Sequence, residues 1–227
     1  AQRSSTHPCR FRAAAGGGEG RGLALADERL TRTYNRRVPT QPARAAVSWV
    51  SLGAGGHAVS VVDALRGVAE LAAVVGESTR AWQVPVLGSD EAGMDAAAEN
   101  GWRVLVTIGD NAAREALLDQ VPPGLLFCGI ATSATVSRDA GVGEGTVVLH
   151  HAHVGPGAQL GEGVIVNTGA IVEHDVAIGA CAHVAPGAVV LGGGRIGARV
   201  LIGSGARLLP GIRVGDDAVI GAGAVVV

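Results

Sequence analysis

The 227-residue sequence contains no lysine, and phenylalanine, tryptophan and tyrosine together make up only 3% of it. No window approaches the ~18 consecutive apolar residues that a transmembrane helix needs. The chain has 3 cysteines, widely spaced and odd in number, so they do not form a disulfide framework. These absences exclude a transmembrane helix and a disulfide framework, and they favour a protein of the reducing cytoplasm.

Small residues are abundant instead. Glycine occupies 36 positions, roughly twice the average usage of about 7%. Hydrophobic residues make up 48% of the chain, which is too many for a disordered protein that buries little apolar surface. The formal net charge of −2 gives no basic excess for a nucleic-acid partner. The composition therefore predicts a repetitive fold in which small residues are structural.

Residues 1–46 differ from the rest of the chain. They contain nine arginines against three acidic residues and show no hydrophobic periodicity. A nucleic-acid arm or an arginine-rich targeting peptide would fit this composition. The chain begins with Ala1 and its single methionine is Met94. We therefore expect residues 1–46 to be a disordered or non-native extension.

Residues 47–126 alternate apolar runs with helix-like stretches, a pattern typical of βαβ units on a parallel sheet. The predicted elements, in order, are a strand ending at Leu52, a helix over 58–69, strand 71–75, segment 84–88, a helix over 90–100, strand 103–108 and a helix opened by 109–111. The turn between Gly53 and Ala58 also fits the loose dinucleotide pattern G-x-G-x-x-A. About 80 residues are too few for a free-standing dehydrogenase, so we predict a small Rossmann-like domain.

A six-residue repeat fills the remainder, residues 127–227. Every sixth residue from Val136 to Val226 is aliphatic, and the residue four positions later is usually small. Neither a helix nor a plain strand keeps this period, and a hexad repeat is typical of a parallel β-helix. Each hexad forms one face of a triangular coil, and three hexads close a turn of about 18 residues. The repeat is still running at Val227, so we expect the natural protein to continue.

These features resemble the hexapeptide-repeat acyltransferases, whose coils form a left-handed β-helix. Within that group the chain is similar to the sialic-acid O-acetyltransferase and UDP-4-amino-sugar N-acetyltransferase family, over Val47 to Val227. The resemblance is carried by Gly53–His57, Val84–Gly88, Ile108–Asn111 with Arg114, Val166–Asp175 and His183–Gly187.

The resemblance implies an acetyltransferase with acetyl-CoA as co-substrate and no required metal. The acceptor would be an amino or hydroxyl group of a sugar, either a nucleotide-linked amino sugar or sialic acid. His174 matches the family's general base, and Asp175 matches the acidic residue that raises its basicity. The chemistry is reasonable because imidazole exchanges protons at neutral pH and the thioester is already activated. Members of the family form homotrimers with the active site between subunits.

Further positions match binding residues of the family. His183, Ser204 and Ala222 match positions that line acetyl-CoA, and Asn167 matches a polar residue near the acceptor. The loop that receives the sugar nucleotide corresponds to Gly55, Gly56 and His57, with Gly109 opposite. Where the nucleotide-sugar enzymes carry an acidic pair after the second strand, this chain has Glu77 and Ser78. The identity of the nucleotide, UDP included, therefore stays open.

Two other functions are alternatives to this one. His150, His151 and His153 raise the possibility of a zinc site, as in carbonic-anhydrase-like hexapeptide proteins. Residues stack on successive coils only when they are multiples of 18 apart, and none of the three is so spaced from His174 or His183. The other alternative is a non-catalytic solenoid, which would present a regular outward ladder of one residue type. The outward positions of this repeat vary instead.

Overall fold

The computed structural model describes residues 47–78 and 80–227, and the predicted extension at 1–46 lies outside them. The described chain forms a small α/β domain followed by a long β-helix. The elements of the α/β domain are β1 (Val47–Leu52), α1 (Gly56–Ala64), β2 (Ala69–Val75), β3 (Val86–Leu87), α2 (Asp90–Asn100), β4 (Arg103–Val106) and α3 (Asn111–Leu118). Its sheet has the order β3-β2-β1-β4 with parallel pairing throughout. This confirms the predicted Rossmann-like topology.

Local sequence signals explain most of these boundaries. The Ser89 hydroxyl caps α2 by accepting the Ala92 N–H at 3.2 Å, and Gly101 ends the helix at φ 67°. The predicted helix over 58–69 is wrong at its C-terminal end. It stops at Ala64 because Gly67, at φ 74°, turns the chain back, and Ala69 already belongs to β2.

The β-helix has three faces, each a parallel sheet of two-residue strands. Face 1 consists of β7 (Gly141–Val142), β10 (Gln159–Leu160), β13 (Ala177–Ile178), β16 (Arg195–Ile196) and β19 (Arg213–Val214). Face 2 consists of β5 (Gly129–Ile130), β8 (Val147–Val148), β11 (Ile165–Val166), β14 (His183–Val184), β17 (Leu201–Ile202) and β20 (Val219–Ile220). Face 3 consists of β6 (Thr135–Val136), β9 (His153–Val154), β12 (Ile171–Val172), β15 (Val189–Val190), β18 (Arg207–Leu208) and β21 (Val225–Val226).

The strand register confirms the 18-residue coil, since Ile171 pairs with Val189 and Gln159 with Ala177. The second residue of each strand points inward and stacks on its equivalent in the neighbouring coil, forming one continuous apolar core. The coil begins with β5, so Ile130 supplies an inward residue one hexad before Val136, where the sequence count started.

The α/β domain packs against face 2 of the β-helix. An apolar cluster joins the two parts, made by Trp49, Leu65, Leu105, Val147, Leu149 and Ile165 among others. On the other side of the small sheet, Leu117 and Leu118 of α3 pack with Cys181 of the coil. No helix in the described part of the chain is both long and apolar enough to cross a membrane. This docking holds the α1 N-terminus and the loop after β4 over the coils.

Candidate active site

His174 and Asp175 lie at the corner where face 3 passes into face 1. The His174 Nδ1 atom is 2.9 Å from Oδ2 of Asp175, and the His174 side chain is 60% exposed. A carboxylate can only accept, so Nδ1 carries the proton in this contact and Nε2 keeps its lone pair. The pair is therefore arranged so that Nε2 can take a proton from a bound molecule while Asp175 stabilises the imidazolium.

The backbone at this corner is unusual for a residue with a side chain. Asp175 has φ 58°, at a slot that recurs every six residues and most often holds glycine, as at Gly157 and Gly193. Aspartate tolerates this left-handed conformation better than most residues. The turn is fixed because the Asp175 N–H donates to the Pro156 carbonyl at 3.0 Å. This places the carboxylate beside the His174 ring.

A second cluster forms where the α/β domain meets face 2. The rings of His57, from α1, and His183, from β14, have centroids 6.1 Å apart. The Asn167 side-chain amide nitrogen lies 3.0 Å from His183 Nε2. Gly109 is adjacent, because a Cβ at that position would lie 3.9 Å from the His57 Cβ. The structure thus brings together four residues that the sequence analysis assigned to acetyl-CoA and the acceptor.

Both histidines of this cluster are held uncharged. Burial, the neighbouring His183 and the Arg114 guanidinium lower the pKa of His57 to about 4. Burial and Arg114 also lower the pKa of His183 to about 4, against a hydrogen bond to the Gly109 backbone that acts to raise it. The His57 Nε2 atom is buried and has no hydrogen-bond partner within the described chain. It is therefore a polar atom available to a ligand.

Arg114 of α3 is the residue that joins these parts. It is 1% exposed, and its Nε donates to the Gly163 carbonyl of the coil at 2.8 Å. Its Nη2 donates to the Cys181 carbonyl at 2.6 Å, and its Nη1 donates to the Ile108 carbonyl at 2.9 Å. Because the guanidinium bridges the loop after β4 to two coil corners, it fixes the Gly109 loop against His183.

The remaining predicted residues lie along the corner between faces 2 and 3. Ser204 and Ala222 are exposed there, 18 residues apart and therefore stacked on successive coils. Asn167 begins the same corner two coils earlier, directly after β11. The α1 helix starts at Gly56 with Gly55 as its N-cap and no capping side chain, so its first N–H groups are free for a ligand. Asn167, Ser204 and Ala222 thus share one edge of the β-helix.

His174 is not part of that edge. It lies between faces 3 and 1, whereas His57 and His183 lie against face 2. Within one chain the structure therefore does not bring the predicted base to the predicted acetyl-CoA and acceptor residues. Among the residues that the structure describes, no group of three or more His, Cys, Asp or Glu side chains could hold a metal ion.

Comparison with known proteins places the whole arrangement in a family. Residues 50–121 match the family model described as the PglD N-terminal domain, and residues 193–227 match the bacterial transferase hexapeptide (six repeats). Perosamine N-acetyltransferase from Caulobacter crescentus, solved with CoA and GDP-perosamine, is 37% identical, with 81% of this chain and 90% of that chain covered and a TM-score of 0.74. The chain belongs to the hexapeptide-repeat acyltransferases.

Other structures agree with this membership. The acetyltransferase domain of PglB from Neisseria gonorrhoeae FA1090, solved with acetyl coenzyme A, is 32% identical, with 81% of this chain and 92% of that chain covered and a TM-score of 0.73. WeeI from Acinetobacter baumannii AYE, at 23% identity and a TM-score of 0.57 over 80% of this chain and 96% of that chain, shares the fold. Among curated proteins, none matches the chain significantly.

The bridging contacts of Arg114 in this acyltransferase are not evident from the sequence, where the residue is only part of the motif that resembles the family. The available signal was a charged residue on the otherwise apolar face of α3, next to Leu117 and Leu118. In the described chain it is the one buried residue with a formal charge. Its partners are backbone carbonyls of the coils, 49 and 67 residues away in sequence.

Proposed function

We propose that this acyltransferase moves the acetyl group of acetyl-CoA to the amino group of a nucleotide-linked amino sugar. The observation that carries the proposal is the exposed His174–Asp175 pair, with Nδ1 and Oδ2 2.9 Å apart, on the corner that borders face 3. Two relatives support the substrates. The Caulobacter enzyme was solved with CoA and GDP-perosamine, and the Neisseria domain with acetyl coenzyme A.

The chemistry follows from the geometry of the pair. As the sugar nitrogen attacks the thioester carbonyl, His174 Nε2 takes the proton from that nitrogen. The new C–N bond forms, the C–S bond breaks, and the imidazolium returns the proton to the CoA sulfur. Asp175 stabilises the imidazolium through Nδ1. A general base of this kind contributes roughly 10²–10⁴-fold to the rate. No protein nucleophile is needed.

A homotrimer completes the site in this proposal. Face 3 is bordered by both halves of the site, with His174 at one corner and Ser204 and Ala222 at the other. Its outer surface carries apolar side chains, among them Ile171 and Val189, stacked on each other. When three copies pack these faces around a threefold axis, the His174 corner of one copy meets the Ser204 corner of the next. Each active site is then shared by two subunits.

Variants of one relative show that both substrates can bind when a histidine is replaced. The Caulobacter enzyme has been solved as two variants in which one histidine is replaced by Asn or by Ala, both with CoA and GDP-perosamine bound. In those proteins, substrate binding does not require that imidazole. We propose that His174 in this chain is likewise needed for the chemical step and not for substrate binding. The free thiols of Cys128 and Cys181 and the use of acetyl-CoA support a cytoplasmic location.

Thiol release from acetyl-CoA tests the proposal directly. The purified protein is offered GDP-linked and UDP-linked amino sugars, the corresponding sugars without an amino group, and sialic acid. We expect thiol release with an amino-sugar nucleotide only, and an amide-linked acetyl group in the product by mass spectrometry. Release with sialic acid would instead assign O-acetylation. No release with any acceptor and no binding of acetyl-CoA would favour a non-catalytic solenoid, and stoichiometric zinc would favour the carbonic-anhydrase-like alternative.

A further inference from the structure

One corner position of the repeat is exceptional at Gly192. The second residue after each inward aliphatic residue forms the outer edge of a corner, and along the described coils it carries a side chain in every hexad except one. The residues at this position are Thr132, Arg138, Glu144, His150, Pro156, Glu162, Thr168, His174, Ala180, Pro186, Gly192, Ala198, Ser204, Pro210, Asp216 and Ala222. Glycine occurs here once, and it occurs one coil, 18 residues, after His174.

The backbone does not require glycine at this point. The left-handed slot of the turn belongs to the next residue, Gly193, at φ 72°, and Gly192 itself lies outside the positive-φ region. Alanine and proline occupy the same position at Ala198 and Pro210. The reason for glycine must therefore be a neighbour rather than the chain conformation.

That neighbour is the His174 ring. A Cβ atom on Gly192 would lie 2.5 Å from His174 Nε2 and 2.6 Å from Cε1, well inside van der Waals contact. The imidazole thus lies directly over the bare α-carbon, with Nε2 nearest to it. The space that a methyl group would fill is the space beside the nitrogen that exchanges the proton.

The ring cannot avoid such a methyl group by moving its backbone. The His174 carbonyl accepts the Gly193 N–H at 3.0 Å, and the Asp175 carbonyl accepts Arg195 Nη1 at 2.7 Å. The inward neighbours Val172 and Val176 are fully buried in the core. With both sides of the corner fixed, only rotation of the His174 side chain remains. Rotation away from Gly192 would separate Nδ1 from Asp175 Oδ2.

We propose that Gly192 is a positioning residue of the acetyltransferase: its missing side chain seats the His174 imidazole against Asp175 and keeps Nε2 open to the reacting atoms. This proposal rests on the proposed role of His174 as general base. Gly192→Ala removes no group that exchanges a proton. We expect kcat to fall about 100-fold, the loss that a displacement of ~1 Å can cause. The KM for acetyl-CoA should change little.

A matched control is Gly215→Ala. Gly215 follows an inward valine in the same repeat, lies outside the positive-φ region, and a Cβ there would meet no heavy atom within 4 Å. We expect this variant to keep the wild-type kcat and thermal midpoint. An equal loss of activity in both variants would overturn the proposal, since added bulk on the coil would then be sufficient.

Double variants distinguish a role of Gly192 in positioning the His174 ring from a general role in folding. In the His174→Ala background the ring is gone, so adding Gly192→Ala should cause no further loss of activity and should not lower the thermal midpoint. If Gly192→Ala alone folds poorly, the double variant should recover the midpoint of His174→Ala. Independent, additive effects on the midpoint, or a Gly192→Ala enzyme with unchanged kcat, would overturn the proposal.

The same variants test the positioning role of Gly192 and the general-base role of His174 separately. Retained turnover in His174→Ala alone would refute the general-base role. In that case, non-additive effects of the two substitutions on the thermal midpoint would still show that Gly192 positions the His174 ring. If the effects on the thermal midpoint are additive and His174→Ala is inactive, the positioning role of Gly192 is refuted and the general-base role of His174 stands.

Discussion

The Asn167 side chain fixes the protonation state of His183. Asn167 Oδ1 accepts the Thr168 N–H at 2.8 Å, so the amide nitrogen is the atom that faces His183 Nε2 at 3.0 Å. An amide nitrogen can only donate, and Nε2 must therefore be the unprotonated nitrogen of a neutral ring. Burial favours the same state, because the pKa of His183 is lowered to about 4. Backbone geometry, through Asn167, thus selects the tautomer of a residue assigned to acetyl-CoA.

The first prediction concerns acid stability. His57 and His183 have folded-state pKa values lowered to about 4 from 6.5. Below pH 6.5 the unfolded chain therefore binds more protons than the folded chain. The stability that these rings contribute is complete above pH 6.5 and is lost progressively as the pH falls towards 4. The free energy of unfolding, measured with denaturant, should decrease between pH 7 and pH 5.

Replacing both rings with glutamine should flatten that decrease. His57→Gln with His183→Gln removes the two groups that must stay neutral, so less of the unfolding free energy should depend on pH over this interval. His151→Asn is the control, since His151 is exposed at a corner and Asn tolerates its φ of 58°. An equally steep decrease in the double variant would contradict the assignment.

The second prediction concerns His174 and Asp175, the proposed catalytic pair. His174→Ala should lower kcat by roughly 10²–10⁴-fold, while the Kd of acetyl-CoA from calorimetry stays near the wild-type value. Asp175→Asn should cause a smaller loss, because asparagine still accepts from Nδ1 but stabilises the imidazolium less. Asparagine also tolerates φ 58°, so the variant should keep its thermal midpoint. Weaker acetyl-CoA binding in both variants would instead assign the pair to binding.

The third prediction concerns Arg114. Arg114→Met removes the donors to the Gly163, Cys181 and Ile108 carbonyls. Leaving a buried acceptor unpaired costs about 1–3 kcal/mol. Two of these hydrogen bonds, to Gly163 and Cys181, are fully buried, so the free energy of unfolding should fall by at least ~2 kcal/mol. Arg66→Met is the control, since the Arg66 side chain is 79% exposed and its ion pair is with Asp63, which is itself 58% exposed. Its effect should lie within about 0.5 kcal/mol.

The fourth prediction concerns oligomerisation through face 3. Val189→Asp places a carboxylate in the apolar column that Val189 shares with Ile171. Desolvating that charge in an interface is unfavourable, so the proposed trimer should dissociate and thiol release should stop. Sedimentation velocity measures the mass. Gln159→Glu adds a charge to face 1 instead and should leave the mass unchanged; an unchanged mass for Val189→Asp would rule out face 3 as the interface.

The fifth prediction tests the proposed division of the site between subunits. In the proposed trimer, His174→Ala and His183→Ala would each remove one half of every site. Unfolding and refolding the two inactive proteins together should restore activity, because a site formed by two different subunits again has both rings. Random mixing gives about one quarter of wild-type sites. A mixture that stays inactive after refolding would place both residues in a site within one chain.

The sequence by itself determined the β-helix. The inward aliphatic residue, the small residue and the left-handed position all recur every six residues. Each hexad therefore contains the residue types that one face of the coil requires. Stacking then repeats the same contact every 18 residues, as in the pairing of Ile171 with Val189. The His174–Asp175 contact can also be predicted from the sequence, because the two residues are adjacent and the turn orients them.

Only the tertiary structure decided how the rest of the site is arranged. His174 and His183 are nine residues apart, yet the triangular coil places His174 at the corner between faces 3 and 1 and His183 on face 2. The His174 ring lies against Gly192, 18 positions away, and Arg114 donates to the Cys181 carbonyl, 67 positions away. Such contacts depend on coil stacking and on where the α/β domain docks. No local pattern records either, because each becomes defined only when distant segments pack together.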